Sequence, residues 1–296
     1  MGVLLERITA KSLLVSDGGW GTMLQEAGMT ANDCPEAWNL SHPDAVRDVA
    51  RAYGETGCDL VLTNTFGGST VKLAKMGYGE QVGPINEAGI RLSREGAPEA
   101  IIVASVGPSG EFLAPMGDLD EETLFAAYTD QISAMIRAGV DAVCVETMMD
   151  LQEALCAIRA ARALDANLDI ISTFTFNAAG DSFRTMMGHS PADIAPAVIA
   201  AGANVVGSNC GNGIEQMVPI TRAFREVTDQ PILIHANAGL PEMQDGKAVY
   251  TQGPDDMAGH VEALVDAGAT IIGGCCGTTP DHIRAIKAKI DSLRNA

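Results

Sequence analysis

Eight short runs of β-branched and apolar residues recur along the chain, each followed by a loop and then by apolar residues at helical spacing. The runs that read as strands are 13–16, 59–63, 101–106, 142–146, 169–175, 204–208, 231–235 and 270–274. Between them lie helical stripes such as Leu151, Ala154, Leu155, Ile158 and Ala161, then Met257, Val261, Leu264 and Val265, then Ile283, Ile286, Ile290 and Leu293. Several strands follow a glycine helix stop, as at Gly57, Gly139, Gly202 and Gly268. Eight βα units within 296 residues predict an α/β chain folded as a single (β/α)8 TIM barrel. An open doubly wound sheet is the alternative, but the turn Asp17-Gly18-Gly19-Trp20-Gly21-Thr22 lacks the glycine spacing of a dinucleotide site. No linker or low-complexity tract divides the sequence, so residues 1–296 are expected to form one domain.

A formal net charge of −19 repels phosphate backbones and anionic lipid, which argues against nucleic acid and membrane as partners. No apolar run approaches the ~20 residues of a bilayer span, and the first residues do not read as a signal peptide, so a cytoplasmic location is expected. Seven cysteines, an odd count, argue for reduced thiols over a fully paired disulfide framework.

In a barrel of this kind, chemistry sits where strands end and loops begin. The polar residues at those junctions are Asp17, Asn64 with Thr65, Gly107-Pro108-Ser109, Glu146, Asn209 with Cys210, Asn237, and Cys275 with Cys276. Cys210 closes the sixth strand and Cys275 and Cys276 the eighth, both between glycines, so three thiols can converge above the barrel mouth. Three thiolates and an open fourth position describe a catalytic zinc site. Such a centre holds a substrate thiol as thiolate, and with three anionic ligands its +2 charge is already outweighed. The bound sulfur stays electron-rich, which favours alkylation of a thiol over hydrolysis. Cys58, Cys144 and Cys156 read as buried packing residues, with Cys144 facing the barrel interior. Cys34, in the loop after the first strand, is either a fourth metal ligand or a free thiol. A Cys275–Cys276 disulfide is disfavoured in a reducing compartment.

Asp17-Gly18-Gly19-Trp20-Gly21-Thr22, Asn64-Thr65-Phe66-Gly67, Glu146-Thr147, Asn209-Cys210, Asn237-Ala238-Gly239-Leu240-Pro241 and Gly273-Gly274-Cys275-Cys276-Gly277-Thr278-Thr279-Pro280 resemble the homocysteine S-methyltransferase family, in order, from about residue 10 to residue 292. That family includes the homocysteine-binding module of cobalamin-dependent methionine synthase and betaine–homocysteine methyltransferase. The resemblance implies zinc (Zn2+) held by Cys210, Cys275 and Cys276, and homocysteine bound as a zinc thiolate and methylated to methionine. It also implies that Glu146 and Asp17 are the catalytic carboxylates holding the acceptor's amino group, with backbone N–H groups near Gly18 and Gly19 receiving its carboxylate. An ammonium needs a carboxylate, and a glycine turn offers unobstructed donors. Phe66 lies in a matching motif on the substrate side. Asn64 and Asn237 either orient these groups or stabilise their loops, and His235 reads as a supporting residue.

Three features depart from the family pattern at the rim where a methyl donor must approach: Trp20, Ser109 and the stretch 176–190. The expected acceptor is a small thiol. The donor is either a small onium compound, for which Trp20, Trp38 and Phe66 could form an aromatic cage, or a separate methyl-corrinoid protein. The alternative function is a subunit moving methyl groups between a small methylated substrate and a corrinoid protein. Assembly into a homo-oligomer is compatible with either reading.

Overall fold

The computed structural model describes residues 2–180, 182–244 and 247–294. All eight expected strands form: β1 (Leu14–Val15), β2 (Leu60–Leu62), β3 (Ile101–Val106), β4 (Ala142–Met148), β5 (Asp169–Phe174), β6 (Val205–Gly213), β7 (Ile232–Asn237) and β8 (Ile271–Gly274). They run parallel in the order β1-β8-β7-β6-β5-β4-β3-β2. A parallel bridge between Ser16 and Leu60 joins β1 to β2 and closes the ring. Closure excludes the open sheet; the fold is a (β/α)8 barrel.

Side chains alternate along each strand, so every second residue points into the barrel. Leu14, Leu60, Leu62, Ile101, Val103, Ala142, Cys144, Ile171, Val205, Leu233 and Ile271 make one interior cluster. Their outward neighbours, among them Val61, Ile102, Val143, Ile170, Val206 and Ile234, pack in a second cluster with the helices. Two residues past the interior layer, the same alternation reaches Ser105 on β3, Glu146 on β4, Thr173 on β5 and His235 on β7, and four residues past Val205 it reaches Asn209 on β6. The barrel therefore changes from apolar to polar at the carboxyl ends of its strands.

A nine-residue helix, Val3–Lys11, precedes β1 and was not anticipated from the sequence. Its Leu4 joins the interior cluster, and Asp169 accepts the N–H groups of Leu4 (3.0 Å) and Leu5 (3.1 Å). The expected stripe from Met257 to Val265 is divided at His260 into helices Pro254–Gly259 and Val261–Asp266. Gly202 ends the helix Pro191–Ala201 at φ 116°, a conformation costly for any residue with a Cβ. Two hairpins decorate the rim: Asn177–Ala179 with Ser182–Arg184, and Glu242–Gln244 with Lys247–Val249. No helix among the described residues is long and apolar enough to cross a membrane.

Candidate metal centre and acceptor pocket

Two irregularities in the barrel build the site. The register between β4 and β5 shifts between Val145 and Met148, and that between β6 and β7 shifts between Asn209 and Gly213. At these bulges Thr147 (φ 60°) and Cys210 (φ 61°) take the left-handed conformation, which re-aims the side chains beside them. Glu146 precedes the first and Asn209 the second.

The Sγ atoms of Cys210, Cys275 and Cys276 all lie within 4.8 Å of one another, with Cys210 and Cys276 at 3.9 Å. Thiolates around a tetrahedral metal with bonds of about 2.3 Å stand about 3.8 Å apart, so the trio fits such a centre with little movement. All three are half-buried and unpaired. Hydrogen bonds with Cys210 and Cys275 pull the Cys276 thiol down, while those with Cys210 and Cys276 push Cys275 up. Asn237 accepts the backbone N–H of Cys276 at 3.1 Å. A Cβ on Gly277 would come within 2.2 Å of the Tyr250 ring, so the glycine lets that ring lie against the cysteine turn.

A cavity of about 360 Å³ opens beside the thiols. Asp17, Gly18, Gly19, Asn64, Phe66, Glu146 and all three cysteines line it, so the structure brings these expected residues together. Asn237 reaches the site through the Cys276 backbone. Asn64 has its amide committed to Pro35 O (2.6 Å) and Asn39 Oδ1 (2.9 Å), which makes it a loop anchor in the cavity wall. The Gly18-Gly19 turn opens the helix Trp20–Glu26, whose first N–H groups have no acceptor within the helix, although Gly19 N–H donates to Thr278 Oγ1 at 2.9 Å.

Asp17 is buried and receives the Trp20 indole N–H and the Leu62 backbone N–H, both at 2.8 Å. Burial nonetheless raises its carboxyl to about 7. Glu146, hydrogen-bonded to the Ser105 hydroxyl, is also raised to about 7 by burial, with a smaller push from Asp17. Two carboxylates confined together and short of cations are poised to accept one. Burial also pulls His235 down to about 4, and its Nε2 has no hydrogen-bond partner among the described residues.

Sequence reasoning did not single out Glu36, Ser105 or Tyr250, which also line the cavity, and Thr147 entered only within the motif Glu146-Thr147. Strand alternation could have found Ser105, two residues beyond Val103; nothing local marks Glu36 or Tyr250. The aromatic cage needs correction. Trp38 is 7% exposed, stacked on His42 with ring centroids 4.2 Å apart, and absent from the cavity wall, because the short helix Trp38–Ser41 turns it into the core. Trp20 and Phe66 remain in the wall. Ser109 is fully buried, its N–H held by Glu153 at 2.7 Å, and so does not face an approaching donor. In the stretch 176–190, Phe176 packs edge-on against Phe224, 5.7 Å between centroids, while the hairpin beyond it is largely exposed; Asp181 lies outside the described residues. Cys34 is buried beside Glu36 and belongs to a separate apolar cluster, away from the thiol trio. Cys58, Cys144 and Cys156 are buried, Cys144 in the interior cluster.

The profile of the family described as homocysteine S-methyltransferase matches residues 14–290. The chain belongs to the homocysteine S-methyltransferase family. The methionine synthase of Mycobacterium leprae is 32% identical over 302 residues, covering 97% of this chain and 25% of that protein. The methionine synthase of Mycobacterium tuberculosis is 29% identical over 305 residues, with the same coverage of both. The chain thus spans about a quarter of the length of these curated relatives. Among solved structures, the homocysteine methyltransferase MmuM from Escherichia coli in its metallated form superposes with a TM-score of 0.80 at 22% identity, over 97% of this chain and 99% of that one. At that identity the likeness concerns the fold.

Proposed function

We propose that this chain methylates the sulfur of homocysteine, giving methionine, with zinc held by Cys210, Cys275 and Cys276. The observation that carries the reading is the placement of three convergent thiols in one cavity with two buried carboxylates, Asp17 and Glu146. Zinc, when bound, supplies the Lewis acidity that keeps an acceptor thiol ionised at neutral pH. Glu146 and Asp17 hold the acceptor's ammonium, and its charge draws both carboxyls back towards their ionised forms. The turn at Gly18 and Gly19 receives its carboxylate. The apolar wall of Leu24, Leu62 and Phe66 keeps water from the sulfur. The acceptor sulfur attacks the donor's methyl carbon; the S–C bond forms as the donor's own bond to that carbon breaks, and the electron pair leaves with the donor.

The cavity wall contains Asp17, Glu36 and Glu146 and, among the described residues, no Lys or Arg, which disfavours a small anionic donor. A small onium compound and a methylated corrinoid on a separate protein both satisfy this condition. The whole unit, residues 1–296, is read as one barrel acting in a reducing cytoplasm, where its thiols stay free.

Calorimetry in buffers of different ionisation enthalpy tests the thiol chemistry. A thiol with a pKa of about 8.5 is mostly protonated at pH 7, so homocysteine should release nearly one proton on binding and methionine none. Homocysteine binding to the zinc-loaded protein without proton release overturns the reading. Incubating homocysteine with each donor class and weighing the product then identifies the donor. Methyl groups found on the corrinoid instead of in methionine favour the alternative of a demethylating subunit.

A further inference from the structure

Asn209 is fully buried at the end of β6, directly before the ligand Cys210. Its Oδ1 accepts the backbone N–H of Thr147 at 2.8 Å and the Thr173 hydroxyl at 2.7 Å. A backbone N–H can only donate, so the orientation of the amide is fixed. The Nδ2 group must then face the other way, where it meets Thr147 Oγ1 at 2.7 Å, Glu146 Oε2 at 3.3 Å and Cys275 Sγ at 4.0 Å. Two N–H bonds thus serve three acceptors, one of them a carboxylate and one a sulfur.

We propose that Asn209 is the positioning residue joining the two halves of this site, one amide holding both the Glu146 carboxylate and the Cys275 sulfur. The inference rests on the functional reading above. The oxygen side of the amide pins left-handed Thr147 to β6, and one bond on the nitrogen side reaches the same residue's hydroxyl. The nitrogen side touches the groups assigned to the acceptor's ammonium and to the metal. An N–H directed at Cys275 withdraws charge from that sulfur, and the same group fixes where Glu146 presents its oxygens. The distance from ammonium to thiolate in a bound amino acid is thereby set by one side chain.

Cobalt(II) is the probe, because its thiolate-to-metal absorption reports the charge on the sulfurs without turnover. In Asn209→Ala the band should move to longer wavelength, since a thiolate that loses a hydrogen bond gives up its electrons more readily. Homocysteine affinity, measured by calorimetry on the same cobalt-loaded protein, should fall roughly tenfold. Thr173→Val, which removes a bond on the oxygen side only, should leave the band in place. Where Asn209→Ala does not fold, Asn209→Ser, whose hydroxyl is too short to span the gap, carries the same two expectations. Either quantity staying at its wild-type value overturns the assignment, as does an equal band shift in Thr173→Val. A wild-type protein with no thiolate band, or with no affinity for homocysteine, defeats the functional reading itself; a normal wild type with unaltered variants defeats only the role of Asn209.

Discussion

The side-chain oxygen of Asn237, at the end of β7, accepts the backbone N–H of Cys276 across the gap to β8 at 3.1 Å. A strand-end amide and a candidate metal ligand are therefore one mechanical unit. Supporting bonds of this kind typically alter metal affinity by about 10- to 100-fold. Asn237→Ala should accordingly loosen zinc, measured by competition with a chromophoric chelator, while the melting curve of the metal-free protein changes little. Unchanged zinc affinity would show that the Cys276 turn holds its own shape.

The thiols themselves give the most direct expectation. Each of Cys210→Ala, Cys275→Ala and Cys276→Ala should reduce bound zinc well below the one ion per chain expected of the wild type, as measured by metal analysis. The far-ultraviolet circular dichroism should be unaltered, because all three lie beyond the apolar interior layer. Full zinc occupancy in all three variants would remove the assignment.

Glu146→Gln keeps the shape of the side chain and removes its charge. Homocysteine should then bind about 10- to 100-fold more weakly, the value of a charge-assisted hydrogen bond, with zinc content unaffected. Calorimetry against homocysteine and against a thiol lacking the amino group separates the two contributions. Equal losses for both thiols would mean that the carboxylate does not meet the ammonium.

The buried titrating groups make opposite demands on pH. His235 is neutral in the fold down to about 4, whereas the unfolded chain takes up its proton near 6.5. In that window the unfolded state binds more protons, so this histidine lowers stability as pH falls. Asp17 behaves inversely. Its folded carboxyl titrates near 7 and its unfolded one near 3.8, so the stability it contributes at low pH is lost as pH rises through that interval. In thermal melts of the metal-free protein between pH 5 and 7, His235→Gln should raise Tm at the acid end relative to wild type. Asp17→Asn should raise it at the neutral end. Gains in Tm that grow in the same pH direction for both variants would contradict these environments.

Why some of this was legible in the sequence and some was not follows from how far each signal reaches. The strands are written locally, as in the run Ile101–Val106, which appears with the expected bounds. The thiol trio is equally local, since adjacent cysteines between glycines at a strand end have few other uses. The bulges at Thr147 and Cys210 leave no trace, because the chain adopts a left-handed conformation there without glycine and is held in it by contacts from other strands. Glu36 and Tyr250 enter the cavity from loops more than two hundred residues apart, a proximity that only the closed barrel creates. Trp38 looked like a rim residue by position, yet a single turn of helix directs it inward.

The N-terminal helix stoppers the barrel from below: Leu4 is buried among the interior side chains, and Asp169 grips the two N–H groups beside it. Among the described residues, the cavity lies at the carboxyl ends of the strands, on the opposite side from that helix. If Glu146 holds the acceptor's ammonium as proposed, the acceptor must pass the rim before a donor covers it. On the proposed reading, the amino acid is therefore expected to enter before the donor and to leave after it.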